Sequence, residues 1–308
     1  MNRPWKLTAL SLALASLLLA ACGKSSPSGT SPSASATGSF GVTKDAAIAA
    51  ELPASIASAG TLKVASDASY APDEFFDTDN KTIIGMDIDL MNAIAGVLGV
   101  KATYTNQIFG GIITSLKAGR FDISISSFTD NKDREKTVDF VDYFQAGASI
   151  FVKAGSTDTF TTLDQLCGKA VSVEKGTTEL DDATAGSAKC VKDGKPKITV
   201  LSFDDQNQTN LAVVSGRAVA SLADSQVAAY QVKLTNGQVK VTGNYLAPAP
   251  YGIAIPRPTG AVLGSGPLTK PIFDALQKLI SNGIYRKILD KWGTASGALT
   301  AAKINGVA

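Results

Sequence analysis

The chain has 308 residues, 44% of them hydrophobic and 18% charged, with a net charge of +2. That balance suits a globular body with a core, and with no clustered Lys/Arg face nucleic acid is not an expected partner. There is no His, which removes Ser-His-Asp and Cys-His chemistry and the commonest transition-metal ligand; no catalytic set, metal site or cofactor is expected.

In chain order, Arg3 and Lys6 precede an uncharged apolar stretch from Leu7 to Ala21, then Cys22. A basic start, a short apolar run and small residues at the cut describe a secretory signal, too short to serve as a spanning helix. Leu19-Ala20-Ala21-Cys22 resembles the lipobox of bacterial lipoproteins, in which the Cys is lipidated and becomes the mature N-terminus. The expected location is extracytoplasmic, anchored by lipid to the cell membrane. Residues 23–39, rich in Ser, Gly, Pro, Thr and Ala, have little to bury and read as a tether. The expected division is a signal at 1–21, lipidated Cys and linker at 22–53, one lobe from 54–148 and 252–303, and a second from 149–251.

The body alternates strand and helix patterns. Thr61–Ser66 reads as a strand. Asp87 is placed to cap a helix with Ile88, Met91, Ala95 and Leu98 on one face, ended by Gly99. Val100–Thr105 is a strand, Gly111–Ala118 a helix, Phe121–Ser126 and Ala148–Lys153 strands. The pattern restarts with strands at Ala170–Val173, Ile198–Phe203, Val219–Ala223 and Tyr251–Ile255. Helices are expected at Thr178–Ser187, Gln208–Ser215, Ser225–Lys233, Pro267–Ser281 and Gly283–Trp292. Such alternation predicts two α/β lobes joined by two crossing strands, with the cleft between them as the binding site. Asp77-Thr78-Asp79-Asn80 lacks the later residues of a calcium loop and reads as a hairpin turn. Cys167 and Cys190, in an exported chain, read most simply as a disulfide; a redox pair or a metal pair fits their spacing poorly.

Candidate chemistry gathers at strand ends. Ser126, Ser127 and Thr129 supply hydroxyls and Arg134 a guanidinium, which together suit a carboxylate. Asp224, in the other lobe, suits an ammonium. Tyr70 and Phe109 are aromatics fit to cover a side chain. Gly176-Thr177-Thr178 opens a helix whose free N–H groups favour an anion.

Seven segments, TLKVASDASYAP (61–72), GMDIDLMNAIAGVLGVK (85–101), ISSFTDNKDREKTVDF (125–140), VEKGTTEL (173–180), ADSQVAAY (223–230), PYGIAIP (250–256) and ISNGIYRKILDKWG (280–293), resemble in order the family 3 extracellular solute-binding proteins, amino-acid receptors of ABC importers. The resemblance implies a type II periplasmic-binding-protein fold with a two-strand hinge, a monomer, and a membrane permease as partner. It implies that Arg134, with Thr129 and the Thr178 region, grips the α-carboxylate, and that Ser127 and Asp224 take the α-ammonium. Tyr70 and Phe109 would sandwich the side chain, Asp67 would lie near its end, and Glu174 would face the same pocket.

The chain departs from the family pattern at Pro72-Asp73, where Pro-Phe is usual. It departs again at Phe109-Gly110-Gly111, usually Phe-Asp-Gly, and at Asn131-Lys132-Asp133-Arg134, which keeps the Arg. Asp67, Glu174 and Asp73 with no cation besides Arg134 point to a cationic ligand, arginine, lysine or ornithine, because a buried carboxylate needs a partner; glutamine or another polar amino acid is the second expectation. An enzyme resembling cyclohexadienyl dehydratases, with Glu174 or Asp73 as acid, and a sensor module with a separate signalling partner are the contrasting readings.

Overall fold

The computed structural model describes residues 40–307, so the expected signal, Cys22 and the expected tether up to residue 39 lie outside the described residues. From Phe40 onward the expected linker is folded. Asp45 caps α1 (Ala46–Ala49) by accepting from the Ala47 and Ile48 amides at 2.9 and 3.2 Å. Phe40, Val42 and Ile48 pack on the core, and Leu52 is buried in it. The linker expected to reach residue 53 is therefore shorter, because these apolar side chains cover an otherwise open face.

After α2 (Ala54–Ala59) come β1 (Thr61–Ser66) and a small antiparallel sheet, β2 (Ser69–Tyr70), β3 (Glu74–Phe76) and β4 (Ile83–Ile84). The turn between β3 and β4 holds Asp79, which accepts from the Lys81 and Thr82 amides. Next are α3 (Met86–Leu98), β5 (Lys101–Asn106), α4 (Ile112–Lys117), β6 (Ile123–Ser124), α5 (Lys132–Glu135) and β7 (Val138–Ala146). The chain then crosses to β8 (Ala148–Lys153), β9 (Ala170–Glu174), α6 (Thr178–Lys192), β10 (Thr199–Phe203), α7 (Gln206–Val214), β11 (Ala220–Asp224), α8 (Ser225–Leu234) and β12 (Val239–Asn244). It returns as β13 (Ala249–Pro256) and ends with α9 (Thr269–Ser281), α10 (Ile284–Trp292) and β14 (Lys303–Ile304).

Two mixed sheets result, in the orders β14-β7-β13-β6-β1-β5 and β10-β9-β11-β8-β12. β1 runs parallel to β5 and β6, and β9 runs parallel to β10 and β11, as crossover helices require. Each sheet has its own core: Leu62, Val64, Met86, Leu90, Ile94 and Ile253 in the first lobe, Ile150, Val152, Val171, Val173 and Leu222 in the second. The chain passes between lobes at Gly147 and at residues 245–248, so 249–251 belong to the first sheet. A Cβ on Gly147 would stand 2.6 Å from the Leu246 carbonyl oxygen, so the two crossings run side by side.

Several boundaries differ from the sequence reading. Gly85, at φ +142°, occupies the cap position of α3 that was expected of Asp87, and a Cβ there would strike the Asp73 carbonyl oxygen at 2.0 Å. Asp87 instead turns inward and accepts from the Ser127 amide at 3.0 Å and the Tyr143 hydroxyl at 2.7 Å. β6 is two residues rather than six, because Ser127 turns into the left-handed region at φ +51°. The helix expected to end at Ser187 runs to Lys192, where buried Cys190 joins Cys167, with Cα atoms 5.7 Å apart. The last long helices begin at Thr269 and Ile284, slightly later than expected, and α7 begins two residues early on an Asp205 cap. β12 was not among the expected strands, although Val239-Lys240-Val241-Thr242 alternates apolar and polar residues after the Asn236-Gly237 turn.

Candidate ligand-binding cleft

A narrow cavity lies between the closed lobes, and Asp67, Tyr70, Phe109, Ser126, Ser127 and Thr129 line it from the first. Arg134 of that lobe faces Glu174, Thr177, Thr178 and Asp224 of the second across the same space. The structure thus brings all eleven expected ligand residues to one place. It adds Glu74 and Glu179. Glu74 had no signal of its own beside Asp73. Glu179 could have been found, since it follows Gly-Thr-Thr on the first turn of a helix facing the cleft.

Arg134 is positioned by α5, whose cap residue Asn131 accepts from the Arg134 amide at 2.9 Å. Its Nη1 donates to the Thr129 carbonyl at 2.7 Å, and its Nη2 donates across the cleft to the Gly176 carbonyl at 3.0 Å. A guanidinium has five N–H groups, so three remain for a ligand. Beneath it, Phe109 and Phe128 stack with centroids 4.4 Å apart, and the guanidinium lies 5.4 and 5.2 Å from them. Burial pulls the Arg134 pKa down, against the fields of Glu179 and Asp224.

Asp224 ends β11 at the cap position of α8, yet its side chain caps nothing. It accepts instead from the Tyr70 hydroxyl, 2.8 Å away in the other lobe. Burial pushes its carboxyl up to about 7, while hydrogen bonds from Tyr70 and Tyr251 oppose the rise. Glu179 is pushed up to about 8 by burial and by the neighbouring Asp224. Thr178 lies 3.5 Å from Thr129 across the cleft and donates to Glu179 Oε2 at 3.2 Å. Thr177 caps α6, accepting from the Leu180 amide at 3.2 Å.

At another side of the cavity, Asp67 accepts from the Phe109 amide at 2.7 Å, and its own amide donates to Ser126 Oγ at 2.9 Å. Ser126 in turn donates to Glu74 Oε1 at 3.1 Å. Burial raises the pKa of Asp67, and raises Glu174 well above the usual carboxylate range with Asp67 as the next cause. Glu74 is likewise raised by burial and then by Asp87 and Asp73. Glu174 Oε1 and Glu179 Oε1 are buried and have no hydrogen-bond partner among the described residues. Five carboxyl groups thus share the cavity with one guanidinium. No group of three or more His, Cys, Asp or Glu among the described residues is arranged to hold a metal ion.

Residues 62–295 match the pattern of the bacterial extracellular solute-binding proteins, family 3. This chain belongs to that family. Among its family 3 relatives, the arginine-binding protein ArgT of Corynebacterium glutamicum is 37% identical over 84% of this chain and 82% of its own. The structure of an ancestral arginine-binding protein bound to arginine superposes with a TM-score of 0.67 at 36% identity, over 76% of this chain and 98% of that one. An ancestral amino-acid-binding protein described as a precursor of cyclohexadienyl dehydratase gives a TM-score of 0.65 at 35% identity, over 77% and 97%. The two-lobed α/β architecture of this family 3 protein is the type II binding-protein fold of these neighbours, and each of them is named as a binding protein. No helix among the described residues is long and apolar enough to cross a membrane.

Proposed function

We propose that this protein captures an amino acid with a cationic side chain, arginine, lysine or ornithine, between its lobes and presents it to the permease of an ABC importer. The observation that carries the reading is the excess of buried carboxyl groups over cations in the cleft, with one oxygen each of Glu174 and Glu179 unpartnered among the described residues. An unpaired buried carboxylate is costly, and a guanidinium or ammonium arriving with the ligand supplies the missing charge and donors. Arg134 with Thr129 and Thr178 takes the α-carboxylate, and Asp224 with Ser127 takes the α-ammonium. The side chain lies between Tyr70 and Phe109 toward Asp67 and Glu174. The arginine-binding relatives support the same ligand class. In this reading the protein acts as a monomer held to the membrane by lipid on Cys22, and its two lobes close by hinge motion, as periplasmic binding proteins do.

Calorimetry on the mature protein with arginine, lysine, ornithine, glutamine and glutamate tests this. Arginine or lysine is expected to bind at least tenfold tighter than glutamine. Tight glutamate binding with no arginine binding would end the cationic reading.

The dehydratase reading places Glu174 as an acid, and its raised pKa suits a proton donor. Incubation with arogenate or prephenate separates the two: phenylalanine or phenylpyruvate forms only on an enzyme, and none is expected.

A further inference from the structure

Outside the cavity, α8 of the second lobe meets the small sheet of the first. Gln226 Nε2 donates to Asp73 Oδ2 at 2.7 Å and lies 3.0 Å from the Tyr251 hydroxyl. One turn further along α8, the Tyr230 ring stands 6.1 Å from Phe75, which Trp292 meets edge-on at 5.8 Å. A spacing of four puts Gln226 and Tyr230 on one face of α8, where they meet Asp73, in the turn before β3, and Phe75, on β3. Neither Asp73 nor Gln226 lines the ligand cavity.

Asp73 is fully buried. Its Oδ2 also accepts from Ser127 Oγ at 3.1 Å, while Oδ1 has no partner among the described residues. Glu74 and Asp87 are acidic neighbours in its own lobe, so the site is a poor one for a carboxyl on local grounds. What a carboxyl gains there is a hydrogen bond to the opposite lobe, present only while the lobes are together.

We propose that Asp73 and Gln226 form a closure latch, a pair of positioning residues that sets how long the lobes stay shut on a bound amino acid. The latch rests on the reading of the cleft as an amino-acid site. Because it bonds only the closed lobes, it slows release rather than speeding capture, and it favours the closed form of the ligand-free protein as well.

Stopped-flow kinetics on the mature protein with arginine, or with glutamine should arginine not bind, tests the latch. D73A and Q226L are each expected to speed release about tenfold and to change the association rate less than twofold. The D73A/Q226L double variant is expected to release no faster than the faster single variant, since either change breaks the same bond. D73N keeps an acceptor oxygen for Gln226 and is expected to stay within about threefold of the parent. Unchanged release in Q226L, or additive effects in the double variant, would overturn the latch. Should the parent bind no amino acid, the reading of the cleft falls on its own. The latch is then read by small-angle scattering of the ligand-free protein: a larger radius of gyration in both D73A and Q226L supports it, and identical radii overturn it.

Discussion

The Tyr70 hydroxyl and Asp224 join the two lobes twice over: the hydroxyl donates to Asp224 Oδ2 at 2.8 Å and accepts from the Asp224 amide at 3.1 Å. Tyr70 is therefore a lobe-to-lobe strut as well as an aromatic wall. Tyr70→Phe keeps the ring and removes both bonds. It is expected to weaken binding of the cationic amino acid by about 1.4–2.7 kcal/mol, roughly ten- to a hundredfold, measured by calorimetry. An unchanged affinity would show that Asp224 needs no help from the hydroxyl.

Arg134 holds two carbonyls and still faces the cavity. A lysine ammonium cannot span that planar fork. Arg134→Lys is expected to lower affinity at least a hundredfold while far-UV circular dichroism and the ligand-free melting temperature change little. A variant that binds within tenfold of the parent would remove Arg134 as the carboxylate anchor.

Asp224 and Glu179 carry folded pKa values of about 7 and about 8, above the ordinary carboxyl range. Between about pH 4 and 8 the folded ligand-free protein therefore binds more protons than the unfolded chain, and its stability falls as pH rises. A cationic ligand favours the ionised forms, so its binding releases protons and tightens as pH rises through 6 to 8. Calorimetry in buffers of different ionisation enthalpy reads this release directly, and Glu179→Gln is expected to reduce it. Proton uptake on binding would contradict the assignment.

At the mouth of the cleft the backbones of the lobes touch. A Cβ on Gly176, whose φ is +81°, would stand 2.7 Å from the Gly110 Cα. Gly176→Ala is expected to hold the lobes apart, lowering affinity about tenfold or more with a melting-temperature loss of only a few degrees, since the strain itself is about 1 kcal/mol. Equal affinity in the variant would mean that closure does not need this contact.

The Cys167–Cys190 bond closes a loop with a sequence separation of 23 and ties the end of α6 to the segment before β9. Chain-entropy reasoning gives about 3 kcal/mol for a loop of this size. Replacing both Cys by Ser is expected to lower stability by about that amount in urea unfolding, with ligand affinity little changed because the bond is remote from the cavity lining.

The helix spacing of Ile88, Met91, Ala95 and Leu98, the strand at Thr61–Ser66 and the two βα series were legible because local periodicity sets them. Segments whose structure depends on a distant partner were not. β6 is cut short because Asp87 captures the Ser127 amide. Residues 40–53 are folded because α3 and α9 present an uncovered surface.

The sequence, read with the family resemblance its segments carry, named eleven candidate side chains for a zwitterion site, among which acids outnumber bases. Only the tertiary structure decided that Glu74 and Glu179 join them, that the Asp224 carboxylate meets Tyr70 instead of capping a helix, and that Asp73 reaches Gln226. Each of those contacts spans the two lobes or joins segments distant in the chain. Periodicity reports which way a side chain faces on its own element; it carries no information about what stands opposite once two lobes come together.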